Sequence, residues 1–330
     1  MKRTLLAAIP LMIAACYDEV VNPVSLGDTV STAETSSSAT TGSGTGGAGG
    51  SGTGGQGAGG SKPLCPSCAM PQMVGAVDSD KLGEISGIVA SHASPGLYFV
   101  HNDSGDQARF FAVNGSGKKL ATFDLDQGAG AVDWEDIALG PCPAGRCVYL
   151  ADTGDNLKER KSYTIYRTPE PATIIDETLP FEAFPFTYPD GPHDVETLLV
   201  HPTTGVITLV AKTFGLSEIY ELPMPLTPGS SVVVIKRGII SLPIEPALIT
   251  GGDVHPDATS VLLRTYANAY DFPMIKGASV ADALLGEACE VPLAFEPQGE
   301  AIGWLHDGTG YVTVSEGQGA AINLVTCAPP

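Results

Sequence analysis

Basic side chains are scarce in this chain: 17 Lys and Arg stand against 37 Asp and Glu, giving a formal charge of −20. So acidic a protein is repelled by phosphate backbones and by anionic lipid surfaces, which argues against nucleic acid as a partner. Sustained helical periodicity is missing, so helix-built folds are set aside. Beyond residue 15 no stretch is long and apolar enough to cross a bilayer as a helix. There is no Gly-x-Ser-x-Gly elbow, no phosphate-binding loop and no dinucleotide fingerprint, which leaves nucleophile-elbow hydrolysis and nucleotide chemistry without a sequence basis. The seven cysteines are not spaced as a zinc site.

What is present begins with a basic start, Lys2-Arg3, and a short apolar segment over residues 5–15. This is the pattern of a secretory signal. Ile13-Ala14-Ala15-Cys16 resembles a bacterial lipobox. The resemblance implies removal of residues 1–15, acylation of Cys16 and a membrane anchor made of several acyl chains. Tyr17 in place of Asp favours the outer membrane under the sorting rule of other bacteria. Residues 16–62 then form a tether, Gly/Ser/Thr-rich from about Leu26 to Ser61, and that stretch has a mean reach of about 30–35 Å as a flexible chain. The body is expected over residues 63–330. An oxidising compartment favours disulfides among its six cysteines. Cys142 and Cys147 bracket a turn and are expected to pair; Cys65, Cys68, Cys289 and Cys327 allow three pairings, left open here.

The body repeats. Glu84 opens "EISGIVAS", a turn follows, and "LYFVHNDSGD" returns. Glu135 opens "EDIALG", followed by "VYLADTGDN"; Glu196 opens "ETLLV", followed by "VITLVAKT". Asp253 opens "DVHPDATS", followed by "VLLRTYANAY"; Glu300 opens "EAIGWL", followed by "YVTVSEGQG". Third and fourth strand-like runs complete most units, such as "RFFAV" with "KLATFDL" and "YTIYR" with "FEAFPFTY". Four short strands per unit of roughly 45–60 residues predict an all-β propeller. Five blades are expected, with "PQMVGAVDSD" supplying the last blade's missing outer strand. Six is the alternative, if a degenerate blade lies within 230–246 or 270–297.

Inner strands of a propeller line its channel, and the end of each second strand lies beside the start of the first. Glu84, Glu135, Glu196, Asp253 and Glu300 should therefore gather at one channel mouth. With them come Asn102, Asp103, Asp152, Asp155, His193, Lys212, Arg264 and Glu316. His92, His201, His255 and His306 fall in turns on the other face and are taken as turn residues. Two charges about 8 Å apart repel by roughly 2 kcal/mol at an effective dielectric of about 20. Relief would come from raised pKa values, from Lys212 and Arg264, or from a hard cation such as calcium. The alternative role for each acid is to accept backbone amides and pin neighbouring blades.

Through "EISGI", "HNDSG", "DWEDIA", "DTGDN", "DVETLL" and "QGEAI", residues 75–319 resemble a group of largely uncharacterised exported bacterial propellers. Glu84 and its neighbours also make the body remotely similar to phytase-like esterase and gluconolactonase-type propellers. That second resemblance implies a divalent cation at the mouth, with Glu84, Asn102 and Asp253 among its ligands. The expected function is binding of a small polar ligand or an envelope protein at the acidic mouth. The alternative is a cation-dependent hydrolase acting there on a phosphate ester or lactone.

Overall fold

The computed structural model describes residues 65–244 and 247–328, so Cys16 and the tether lie outside the described residues. Two short strands come first, β1 (Ser67–Cys68) and β2 (Gln72–Ala76). Blade one holds β3 (Ile85–Ala90), β4 (Leu97–Asn102), β5 (Arg109–Asn114) and β6 (Lys119–Leu125). In blade two, β7 (Trp134–Cys142), β8 (Gly145–Asp152) and β9 (Tyr163–Pro169) are followed by β10 (Glu177–Leu179) and β11 (Glu182–Thr187). β10 leaves that blade and pairs in parallel with β6. Blade three contains β12 (Val195–Val200), β13 (Ile207–Ala211), β14 (Ser217–Glu221) and, after the short β15 (Val232–Val233), β16 (Ile235–Ile240). β15 crosses back to pair in parallel with β11.

Blade four comprises β17 (Ile249–Val254), β18 (Ser260–Thr265), β19 (Ala269–Pro273), the helix α1 (Val280–Leu284) and β20 (Cys289–Val291). Blade five has β21 (Gly299–Trp304), β22 (Gly310–Ser315) and β23 (Ala321–Ala328), and both N-terminal strands pair with β23. β3 packs on β7, β7 on β12, β12 on β17, β17 on β21, and β21 back on β3, which closes a ring of five. The described residues of 230–246 and 270–297 supply the outer parts of blades three and four, not a sixth blade.

The sequence of the strands follows from their position. β3, β12, β18, β21 and β22 are buried along their whole length, because each lies in a sheet covered on both faces by neighbouring blades. Five apolar clusters accordingly fill the five seams between blades. In the seam of blades one and two, Phe99 meets Phe110 and Phe123 edge-on at 5.5 and 6.0 Å. Such ring pairs add about 1 kcal/mol each beyond buried area. Ser279 caps α1 and accepts from Asp282 N, while Val280, Ala281, Ala283 and Leu284 plug the seam of blades three and four.

Three disulfides fasten the rim: Cys142–Cys147 across the β7–β8 turn, Cys68–Cys327 between β1 and β23, and Cys65–Cys289 onto β20. The four cysteines whose pairing was open thus tie the N-terminal segment to blades four and five.

Candidate functional site

Every inner strand meets its second strand through the same irregularity, one extra residue at the same place. The extra residues are Ser86, Glu135, Glu196, Thr250 and Glu300. A bulge of this kind re-aims one side chain and sharpens the local twist. Two positions earlier stand Glu84, Asp133, Asp194, Leu248 and Gln298. One position past each second strand stand Asp103, Thr153, Lys212, Tyr266 and Glu316. Backbone bonds join these last two rings: Asp103 N to Glu84 O at 2.8 Å, Thr153 N to Asp133 O at 3.1 Å, Lys212 N to Asp194 O and Glu316 N to Gln298 O, both at 2.9 Å. The mouth is three stacked rings of five residues.

Where the bulge carries a hydroxyl, it pins the next blade. Ser86 Oγ donates to Glu135 O at 2.6 Å, and Thr250 Oγ1 donates to Gly299 O at 3.1 Å. Where it carries a glutamate, the carboxylate goes to the mouth. Ligand oxygens of Asp103, Asp133 and Glu135 lie within 4.8 Å of one another, and so do those of Glu135, Asp194 and Glu196. Gly154 permits this crowding, because a Cβ there would collide with Glu135 Oε1 and Asp133 Oδ2. Lys212 pairs with Glu196 and lies 5.3 Å over the Tyr266 ring; Tyr266 OH donates to Glu300 Oε1 at 3.1 Å. Glu196 Oε2 and Glu300 Oε2 are buried without a donor.

Eight carboxylates (Glu84, Asp103, Asp133, Glu135, Asp194, Glu196, Glu300 and Glu316) thus share the mouth with Lys212, while Arg160 and Lys158 partly offset Asp133 and Asp194 from its border. Burial, then the neighbouring acids, raises Asp103 to about 7 and Glu316 to about 8. Burial likewise holds Glu135 and Glu196 well above the usual range, Glu196 despite Lys212. Lys212 is itself raised: burial opposes its charge, but Glu196 outweighs burial. An all-oxygen set with unanswered buried oxygens fits a hard divalent cation, whose bonds to oxygen run about 2.3–2.6 Å.

Two expected mouth residues stand elsewhere. Asp253 lies three positions deeper than the bulge, where its oxygens accept from Trp304 N at 2.9 Å and Val254 N at 2.8 Å. It pins blade four to blade five, and burial raises its carboxyl to about 7. Arg264 is wholly buried and turns between blades, donating to Glu296 Oε2 at 2.6 Å and Ala301 O at 3.1 Å. The bare backbone of Gly299 leaves room for its guanidinium. The position taken for Arg264 at the mouth belongs to Tyr266, two residues further on.

Four others border the rings but are occupied in holding loops. Asn102 bridges Lys81 O and Asp106, and accepts from Glu84 N. Asp152 accepts from Asp133 N and pairs with Arg160 at 2.8 Å. Asp155 gathers Glu159 N, Arg160 N and Tyr163 OH, and these bonds outweigh burial to keep its carboxyl low. His193 sits between Asp190 and Tyr220 at 2.9 and 2.8 Å.

Sequence reasoning passed over Asp133 as a site residue, and also the buried Asp136 and Glu296. The signal for the first was available: acid, apolar residue, acid recurs as Asp133-Trp134-Glu135 and Asp194-Val195-Glu196. Asp136 accepts from Leu198 N at 2.8 Å and so does the blade pinning that the sequence offered to the glutamates. No family model matches this chain, and no curated protein matches it.

Proposed function

We propose that the protein is an exported, lipid-tethered propeller that captures a divalent cation, calcium in the first place, at its acidic mouth, and through it a small anionic ligand. The observation that carries this reading is the pair of three-carboxylate groups sharing Glu135, with the unanswered Glu196 Oε2 beside them. Repulsion among the eight acids is costly, and a divalent cation bound among them would relieve it more fully than Lys212 does. Asp103, Asp133, Glu135, Asp194 and Glu196 would supply the cation's oxygens. Lys212, beside Glu196, and Tyr266 in the next blade would face the ligand's negative charge.

Thermal unfolding with chelator and with calcium tests this. A ligand at about 100 times its Kd stabilises by about 2.7 kcal/mol. Calcium should raise the melting temperature of the natural chain, and Glu135→Gln should lose most of that rise while melting normally in chelator. An unchanged melting temperature in calcium would sink the proposal.

Lys212 and Tyr266 beside a cation also suit a polarised ester, so cation-dependent hydrolysis of a phosphate ester or lactone is the second reading. Phosphomonoester and lactone substrates in calcium decide it; turnover unaffected by Glu196→Gln would place the chemistry elsewhere. The lipid tether is checked separately. Cys16→Ser should release the protein from membranes, and fractionation that still finds it bound would refute the anchor.

A further inference from the structure

A cleft of about 290 Å³ opens on the face opposite the mouth, in the seam between blades four and five. Asp257, Asp271 and Asp307 line it, and among the described residues no Lys or Arg does. His255 also borders it, but both ring nitrogens serve its turn: Nδ1 accepts from Asp257 N at 3.2 Å, which leaves the Nε2 proton for Gly308 O at 3.2 Å. Trp304 and Pro273 give the cleft apolar walls.

The unusual member is Asp271. In β19 it pairs with Leu262, and the equivalent pairs are Tyr149 with Arg167 in blade two and Thr208 with Glu221 in blade three. Those two charged residues are each answered from the fourth strand, Arg167 by Glu182 at 2.6 Å and Glu221 by Arg237 at 3.2 Å. Opposite Asp271 the fourth strand offers Cys289, locked in its disulfide with Cys65. Asp271 is only 3% exposed, and its Oδ1 has no donor among the described residues. A buried carboxylate oxygen without a partner is costly, and its absent counterpart is a cationic donor.

A bare metal ion is the poorer candidate. Among the described residues both ion-sized carboxylate groups lie at the other face, so these three aspartates do not converge on a common point. The apolar walls suit an organic body, and an indole face attracts a desolvated ammonium. We propose that this cleft binds a small organic ammonium ion, its charged head on Asp271 and its alkyl body against Trp304 and Pro273. The site is independent of the cation mouth. Burial raises the Asp271 carboxyl to about 6, with the Ser260 hydroxyl pulling the other way, so the group is mostly ionised at neutral pH.

Calorimetric titration of the full chain with 1,4-diaminobutane and with choline, in chelator and again in saturating calcium, tests the assignment. Trp304 fluorescence is followed in parallel; the other tryptophan, Trp134, lies in the seam of blades one and two. Saturable binding of an ammonium is expected, equal in chelator and in calcium. Asp271→Asn should weaken it at least tenfold. Thr309→Arg, an exposed turn position that would deliver a cation into the cleft, should abolish it without touching the core. No saturable binding by the natural chain, unchanged affinity in either variant, or competition by calcium would each overturn the proposal, whatever calcium does at the mouth.

Discussion

Arg264 and Glu296 show why a charge in the sequence does not announce its role. Both are buried, and Glu296 Oε1 also accepts from Thr313 at 2.6 Å and Asn323 at 2.7 Å. Removing one partner of such a pair strands the other without water, at a cost of about 3–5 kcal/mol. Glu296→Gln should therefore lower unfolding free energy by that order in urea, while calcium affinity at the mouth is unchanged. A loss below about 1 kcal/mol would mean that the pair does not need its charge. From the sequence, Arg264 reads as a mouth cation at the end of its second strand, where the other blades have Asp103, Asp152 and Glu316. The residue at the mouth is two further on, Tyr266. Asp253 misleads in the same way, three positions past the bulge, where its carboxylate pins blade five; Glu84 reaches the mouth, but from two positions before the bulge.

Strand order and turn placement were legible, because each strand is a short apolar run bounded by Gly, Pro, Asn or Asp. The bulge was not legible, since one extra residue leaves no compositional mark yet exchanges which side chains face the channel. Nor was α1 foreseen: five residues are too few to establish a helical period, and the helix exists because its apolar side chains fill a seam. The crossing strands β10 and β15 escaped notice for a similar reason, being two or three residues long. The N-terminal strands carry a prediction of their own. The Cys68–Cys327 bridge spans a sequence separation of 259 and holds β1 to β23. Replacing both cysteines with alanine should cost about 2–5 kcal/mol in denaturant unfolding under oxidising conditions. An unchanged midpoint would show that the pairing of β2 with β23 closes the ring unaided.

For the whole molecule the acid balance sets a pH profile. Burial raises Asp103 and Asp253 to about 7, Asp271 to about 6 and Glu316 to about 8. The folded chain thus keeps protons here that the unfolded chain releases near pH 4, so the contribution of these four groups to stability falls as pH rises from about 4 to about 8, while the buried His101, lowered to about 4 by burial, opposes them at the lower end. Asp190 works in the opposite sense: despite some burial, Lys236, His193 and Tyr220 hold it at about 2, so its contribution is lost only below that window. In chelator the melting temperature should decline across the window. Calcium should restore it at the upper end more than the lower, since a cation and protons compete for the same oxygens. A melting temperature that climbs with pH in chelator would contradict the raised carboxyls.

Local chemistry along the chain was enough for an all-β propeller of five blades closed by its N-terminal strand, and for the Cys142–Cys147 bridge, because strand length, turn residues and repeat spacing are properties of neighbours in sequence. It was also enough to single out Glu135, Glu196 and Glu300 as a recurring acid. Which carboxylates converge, which cation is spent inside a seam, how Cys65 and Cys68 pair, and that Asp271 is left without a counter-charge all depend on register between strands far apart in the chain. A shift of one residue there moves a side chain from channel to core, and folding together of distant strands is the only thing that sets it.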